Sequence, residues 1–168
     1  MTSSFTWTGS TTNATLTGND YGSNIFQLGD GAEIANGGAR SNVYQASTAT
    51  GQAQINLSSA TGSVNELDFT GSITDENLWF VQSGNDLKID LMGTTTSVTV
   101  SDWFTGGAGQ IQEITAGGLK IDSQISQLVQ AMANYAASNS GFDPASASMS
   151  SVPNDTALQA TVGVAWHA

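Results

Sequence analysis

The chain has 168 residues, 39% hydrophobic and only 10% charged, enough for one core or for a repeat array with a tail, but not for several cores. Fourteen acidic residues against three basic ones give a net charge of −11, which excludes nucleic-acid binding and makes an anionic membrane surface a poor partner. Cysteine is absent, which excludes disulfides, thiol catalysis and cysteine-type zinc sites.

Residues 1–7 show neither the basic nor the apolar run of a cleavable signal, so any export address is expected elsewhere. No apolar stretch approaches the roughly 20 residues of a membrane helix, and no membrane insertion is expected. Residues 1–60 are poor in charge and rich in Gly, Ser, Thr and Asn. Cut into nines, they repeat over 19–27, 28–36 and 37–45, with Ser23-Asn24-Ile25-Phe26-Gln27 matching Ser41-Asn42-Val43-Tyr44-Gln45 eighteen residues on. Two nonapeptides would make one coil of a parallel β-roll, each a tight turn followed by a short strand. The turn is expected to need glycine for positive φ and close approach. The strand needs a large inward residue, here Phe26 and Tyr44. Two matching blocks alone do not decide for a solenoid.

Residues 61–121 read as antiparallel β. A strand at 78–81, a turn at 83–86 and the period-two alternation of Leu87-Lys88-Ile89-Asp90-Leu91 form a hairpin, and Val98-Thr99-Val100 alternates again. A glycine-rich loop is expected at 106–109. This segment would cap the open end of the roll, as solenoids require. In residues 122–168, Asp122-Ser123-Gln124 reads as a helix start, with Ile125, Leu128, Val129, Met132 and Tyr135 on one face. Asn139 to Gly141 ends the helix. The remainder, Ser/Ala-rich with sparse apolar positions, is expected to be a flexible tail.

Three segments resemble the C-terminal part of RTX (repeat-in-toxin) exoproteins. One is the nonapeptide run. The most specific is Leu78-Trp79-Phe80, Gly84-Asn85-Asp86-Leu87 and Asp102-Trp103-Phe104, which is similar to the haemolysin-type calcium-binding-related segment. The third is Ile125 to Ala133 with the ending Ala165-Trp166-His167-Ala168, which resembles the tail of type I secretion substrates. Together they cover residues 19–168. The resemblance implies a mainly β fold: a short degenerate parallel β-roll, a small antiparallel β cap, a C-terminal α-helix and a flexible tail. It implies export through a type I secretion apparatus, with Leu128, Val129, Met132 and Trp166 in the signal, and an extracellular or cell-surface location. Solenoid ends and strand edges point to a homo-oligomer or self-assembly.

In that family the sixth repeat position carries an aspartate that binds Ca2+, a hard cation wanting six to eight oxygens. Here the position holds Asn24, Glu33 and Asn42, and Arg40 replaces a turn glycine. Two readings stay open: a roll needing no metal, held by asparagine ladders or turn hydrogen bonds, or weak sites using Asp20, Asp30, Glu33, Asn24, Asn42 and turn carbonyls. Asp68, Asp75, Asp86 and Asp102 are isolated acids whose ordinary role is turn chemistry. Catalysis is not expected. The one histidine, His167, stands next to last. The pairs Asp86/Asp90 and Asp75/Glu76 sit at turns or strand ends, and no lysine follows the glycines at 106–109. Trp79, Trp103 and Phe104 read as core rather than as a sugar platform.

Overall fold

A computed structural model of the protein describes residues 3–58, 62–106 and 110–168. Successive short strands alternate between two facing sheets. Strands β1 (Ser4–Thr8), β3 (Ser23–Gln27), β5 (Asn42–Ala46) and β7 (Asn65–Phe69) lie side by side in one sheet. Strands β2 (Thr15–Thr17), β4 (Ala32–Asn36) and β6 (Gln52–Asn56) lie in the other, and all these pairs are parallel. This is a β-solenoid of about three turns, the architecture that two strands per coil demand. The eighteen-residue advance holds between Asn24 and Asn42, but it is nineteen from Ser4 to Ser23 and 23 from Asn42 to Asn65.

The alternation of each strand turns one set of side chains inward, and the register stacks these into rows. One row runs Trp7, Phe26, Tyr44, Leu67, Ile114, Ile121. The facing sheet carries Leu16, Ala35, Ile55, Val100 and Leu87. Phe26 and Tyr44 stack with ring centroids 4.9 Å apart and planes 9° apart. The Tyr44 hydroxyl is buried with no hydrogen-bond partner among the described residues, and burial pushes its phenol far above the ordinary range. Tyr44→Phe keeps the ring stack and removes an unsatisfied group, so it is expected to raise stability by about 1 kcal/mol in urea denaturation. A loss of stability would show that the hydroxyl has a partner.

The antiparallel strands expected in 61–121 form, and they join the sheets of the roll. After β7, a 3-10 turn (Asp75–Asn77) leads into the meander β8 (Leu78–Ser83), β9 (Asp86–Leu91) and β10 (Ser97–Val100). Strand β10 then lies parallel on β6, and β11 (Glu113–Ala116) lies parallel on β7 before turning back as β12 (Leu119–Ile121). Both sheets thus grow to six strands, in the orders β1-β3-β5-β7-β11-β12 and β2-β4-β6-β10-β9-β8. The cause is matched apolar rows: Val98 and Val100 continue Ala53 and Ile55, as Ile114 and Ala116 continue Leu67 and Phe69. The roll therefore ends beyond residue 60. The loop expected at 106–109 lies, from 107 on, outside the described residues.

Helix α1 (Ile125–Ser138) forms as the periodicity requires, burying Ile125, Leu128, Val129 and Met132 against β8. It starts directly after Asp122-Ser123-Gln124, with Gln124 at the N-cap position in a left-handed conformation and without a side-chain capping bond. The flexible tail expected after it is instead docked. Phe142 packs between Trp79 and Tyr135, at centroid distances of 4.5 and 5.3 Å. Backbone bonds from Gly93 to Pro144 and from Val152 to Glu76, each 2.8 Å, pin the following stretch. Helix α2 (Thr156–Ala165) starts where the Asp155 carboxylate accepts from Leu158 N at 2.9 Å, and it buries Leu158, Val162 and Ala165. Sparse apolar positions suffice here because they all meet one surface. Among the described residues no helix is long and apolar enough to cross a membrane.

Candidate functional site

The residues at the sixth repeat position form the most connected polar structure in the molecule. Asn24 and Asn42 alternate with Phe26 and Tyr44, so the inward turn that buries the rings also buries the amides. Asn24 Nδ2 donates to Asn42 Oδ1 at 2.9 Å, and Asn42 Nδ2 donates to Asn65 Oδ1 at 2.7 Å. Above the first rung, Trp7 Nε1 donates to Asn24 Oδ1 at 3.0 Å. Each amide also closes its own turn. Asn24 Oδ1 accepts from Asn19 N at 2.7 Å and Asn42 Oδ1 from Gly38 N at 3.2 Å, while Asn42 Nδ2 donates to the Gly38 and Arg40 carbonyls. Asn65 Nδ2 finds no acceptor among the described residues. A buried amide ladder of this kind, satisfied at Asn24 and Asn42, fixes register as well as adding stability.

Glu33 performs the same task on the opposite side. Its carboxylate is 1% exposed and accepts from Gly29 N at 2.8 Å and from Ser10 N, two turns of neighbouring coils. Asp20 and Asp30 stay at the surface. The Asp20 carboxylate accepts from Ala39 N at 2.8 Å, again coil to coil, while the Asp30 carboxylate joins no such link. The sequence-predicted set is therefore spread along both edges of the roll and does not converge. Among the described residues no three His, Cys, Asp or Glu side chains gather as metal ligands.

At the Asn42 turn the donor set does not suit calcium. The turn carbonyls of Gly38 and Arg40, which would face a cation, are occupied by the N–H groups of Asn42. An amide offers them hydrogens where an aspartate would join them as a further oxygen ligand. The isolated acids have ordinary partners too: Asp86 accepts from Asp102 N at 2.8 Å, and Asp68 from the Thr115 hydroxyl at 2.7 Å.

The roll's glycines correct one expectation. Gly22, Gly31, Gly38 and Gly51 do not have positive φ; a side chain on each would instead land on a backbone carbonyl of the preceding coil. Close approach alone selects glycine at these turns. Two further members of the ladder, Asn65 and Trp7, were not legible from the nonapeptide period. The signal that marks Asn65 is Asn-x-apolar, seen in Asn24-x-Phe26, Asn42-x-Tyr44 and Asn65-x-Leu67, while Trp7, preceded by Phe5, carries no such mark.

The residues of the expected secretion signal, Leu128, Val129, Met132 and Trp166, are all buried. Met132 Sδ accepts from Phe80 N at 3.0 Å, covering the outer edge of β8. Phe80 meets Trp166 edge-on at 6.2 Å. At the edge of the other sheet, Lys120 and His167 exchange backbone bonds of 2.8 and 2.9 Å. The His167 ring reaches Asp122 Oδ1 at 3.1 Å. That hydrogen bond raises the His167 pKa and lowers that of Asp122. By linkage, the His167 contribution is complete below its ordinary pKa of about 6.5 and fades as pH rises through the raised folded value. The Asp122 contribution is present above about pH 3.9 and fades as pH falls through its lowered value. The chain end is thus expected to be held best between those two ordinary values. An NMR titration should place the His167 ring above its ordinary value, and Asp122→Asn should return it there. A wild-type ring titrating at the ordinary value would dismiss the contact.

Of the three aromatics read as core, Trp79 and Trp103 are buried and Phe104 is half-buried. Compared with models of known protein families, the chain matches none.

Proposed function

We propose that this chain is a non-enzymatic structural protein of the RTX type, exported through a type I secretion apparatus by its C-terminal segment and working outside the cell or at its surface. The observation that carries the reading is the Asn24–Asn42–Asn65 ladder. It cross-links successive coils by amide hydrogen bonds, so the roll is a rigid unit that needs no metal. The lone histidine supports the non-enzymatic part: its ring nitrogens lie against the Asp122 carboxylate and the Ala168 carbonyl oxygen, and among the described residues neither meets a hydroxyl.

Far-UV circular dichroism with light scattering, in excess EDTA and then in a calcium titration, tests the metal-free roll. The expected result is the full β signal in EDTA; a calcium-triggered rise overturns it. Export is tested separately by fusing residues 122–168 to a reporter chain in cells carrying a type I apparatus. The reporter should appear in the medium, and its retention would refute the export reading.

A second reading, in which the chain closes the C-terminal end of a longer RTX adhesin or toxin, is favoured by one observation. The sheet rows end on half-buried Trp7 and Leu16, a surface that a preceding coil would cover. An open reading frame continuing upstream of Met1 would decide for it.

A further inference from the structure

The two ends of the solenoid are unequal. At the far end, α1 and Met132 cover β8, and the backbone of His167 covers β12. At the near end, β1 and β2 are the outermost strands of both sheets. Ser3 O and Gly9 N bond to β3, so the alternation of a strand turns the N–H and C=O groups of Ser4, Thr6 and Thr8 to the open side. Likewise Ala14 O and Gly18 N bond to β4, which leaves the backbone groups of Thr15 and Thr17 facing out. Among the described residues nothing pairs with either edge.

Three features make this end a pairing surface. The core rows are cut across here, leaving Trp7 and Leu16 half-buried where the next rungs, Phe26 and Tyr44 on one sheet and Ala35 and Ile55 on the other, are fully buried. The edge carries none of the devices that block edge pairing: residues 3–19 include no charged residue and no proline, and the outward side chains are Ser and Thr. Charge then selects the partner. Eleven of the fourteen acidic residues lie beyond residue 60, among them Glu66, Asp68 and Glu113 together on one outer face. Two copies repel each other more through the acid-rich later part of the chain than through the edge formed by residues 3–19.

We propose that this end binds the same end of a second copy, β1 meeting β1 antiparallel across a two-fold axis, so that the two solenoids close each other. At the far end β12 is covered by His167 and β8 is covered at Phe80, so a head-to-tail copy finds only the short stretch at Gln82, whereas two near ends offer each other whole strands, and a two-fold assembly stops at two. The proposal rests on the structural reading above and narrows the self-assembly expected from the sequence to a closed dimer.

The test is light scattering coupled to size-exclusion chromatography on the intact chain, over micromolar to hundreds of micromolar. The expected mass is twice the 17.2 kDa of one chain. Thr6→Lys, which puts a charge on the open edge, should raise the dimer dissociation constant by about tenfold or more, a change of about 1.4 kcal/mol. Thr6→Pro removes only an outward N–H and should act the same way. Gln45→Lys, on a central strand of the same sheet, should leave the dimer intact, and circular dichroism checks that all three variants fold. A chain that is monomeric at every concentration, or a dimer indifferent to both Thr6 variants, overturns the proposal. Large open particles overturn the closed dimer while supporting self-assembly. Export of the reporter fusion is read independently of all these outcomes, so loss of the dimer and loss of the export reading are distinguishable.

Discussion

Asn42→Ala is expected to lower the unfolding free energy by about 3–5 kcal/mol, among the largest effects of any side-chain truncation in the roll. Asn42 is the middle rung, and its removal strands groups on both neighbours. Asn24 Nδ2 loses one of its acceptors, Asn65 Oδ1 loses its donor, and Gly38 N with the Gly38 and Arg40 carbonyls loses its turn partner. Each buried group left unsatisfied costs about 1–3 kcal/mol, reduced where the turn can relax toward water. Urea denaturation in EDTA measures this directly, and a loss below about 1 kcal/mol would mean that the ladder is incidental. Asn42→Asp sharpens the test. It retains an acceptor for Gly38 N but aims a charged oxygen at two carbonyls and the Asn65 amide oxygen, an arrangement only a cation relieves. That variant should be less stable in EDTA than in calcium, whereas the unaltered chain should be indifferent.

Gly51→Ala is the second large effect, and it works through space rather than through bonding. A Cβ at this position would land on the Asp30 carbonyl oxygen and lie 2.9 Å from that of Gly31, both backbone atoms of the preceding coil. A flexible side chain could swing away; a backbone held by Gly51 N bonding to Gly29 O at 2.9 Å cannot move without parting the coils. The expected loss is about 3 kcal/mol or more, read as a lower thermal midpoint. Gly84→Ala is the contrast. Gly84 has φ of +62° with open space around it, so only backbone strain opposes the change. Its cost should be about 1 kcal/mol, and equal losses at the two sites would refute the close-approach account.

Much of this was readable in advance, and the misses share one cause. The Asn24 to Asn42 repeat, the Phe26 and Tyr44 core row, the 78–91 hairpin and the apolar face of α1 are local patterns, and sequence periodicity reports local patterns well. Asn65 escaped because five extra residues break the eighteen-residue advance just before it. The parallel partners of β10 and β11 escaped because alternation shows that a segment is a strand but not what it lies against. Helix α2 escaped for a related reason. Its propensity is ordinary, and what orders it is contact with α1, a surface assembled from distant residues. The glycines were located correctly and explained only in part, since close approach to another coil is a tertiary fact.

The return of the chain to its own roll has a kinetic consequence. Strands of neighbouring coils between β1 and β7 meet across 18 to 23 residues, but Ser97 meets Gln52 across 45 and Glu113 meets Glu66 across 47. The entropy of closing those longer loops must be met before any contact rewards it, so the early coils and the β8–β9 hairpin have the faster routes to form. Until residues 97–116 arrive, β6 and β7 are bare edges beside an unfinished core. The slow step in folding is then the closure of the roll, and the species that waits for it is the one most exposed to mispairing.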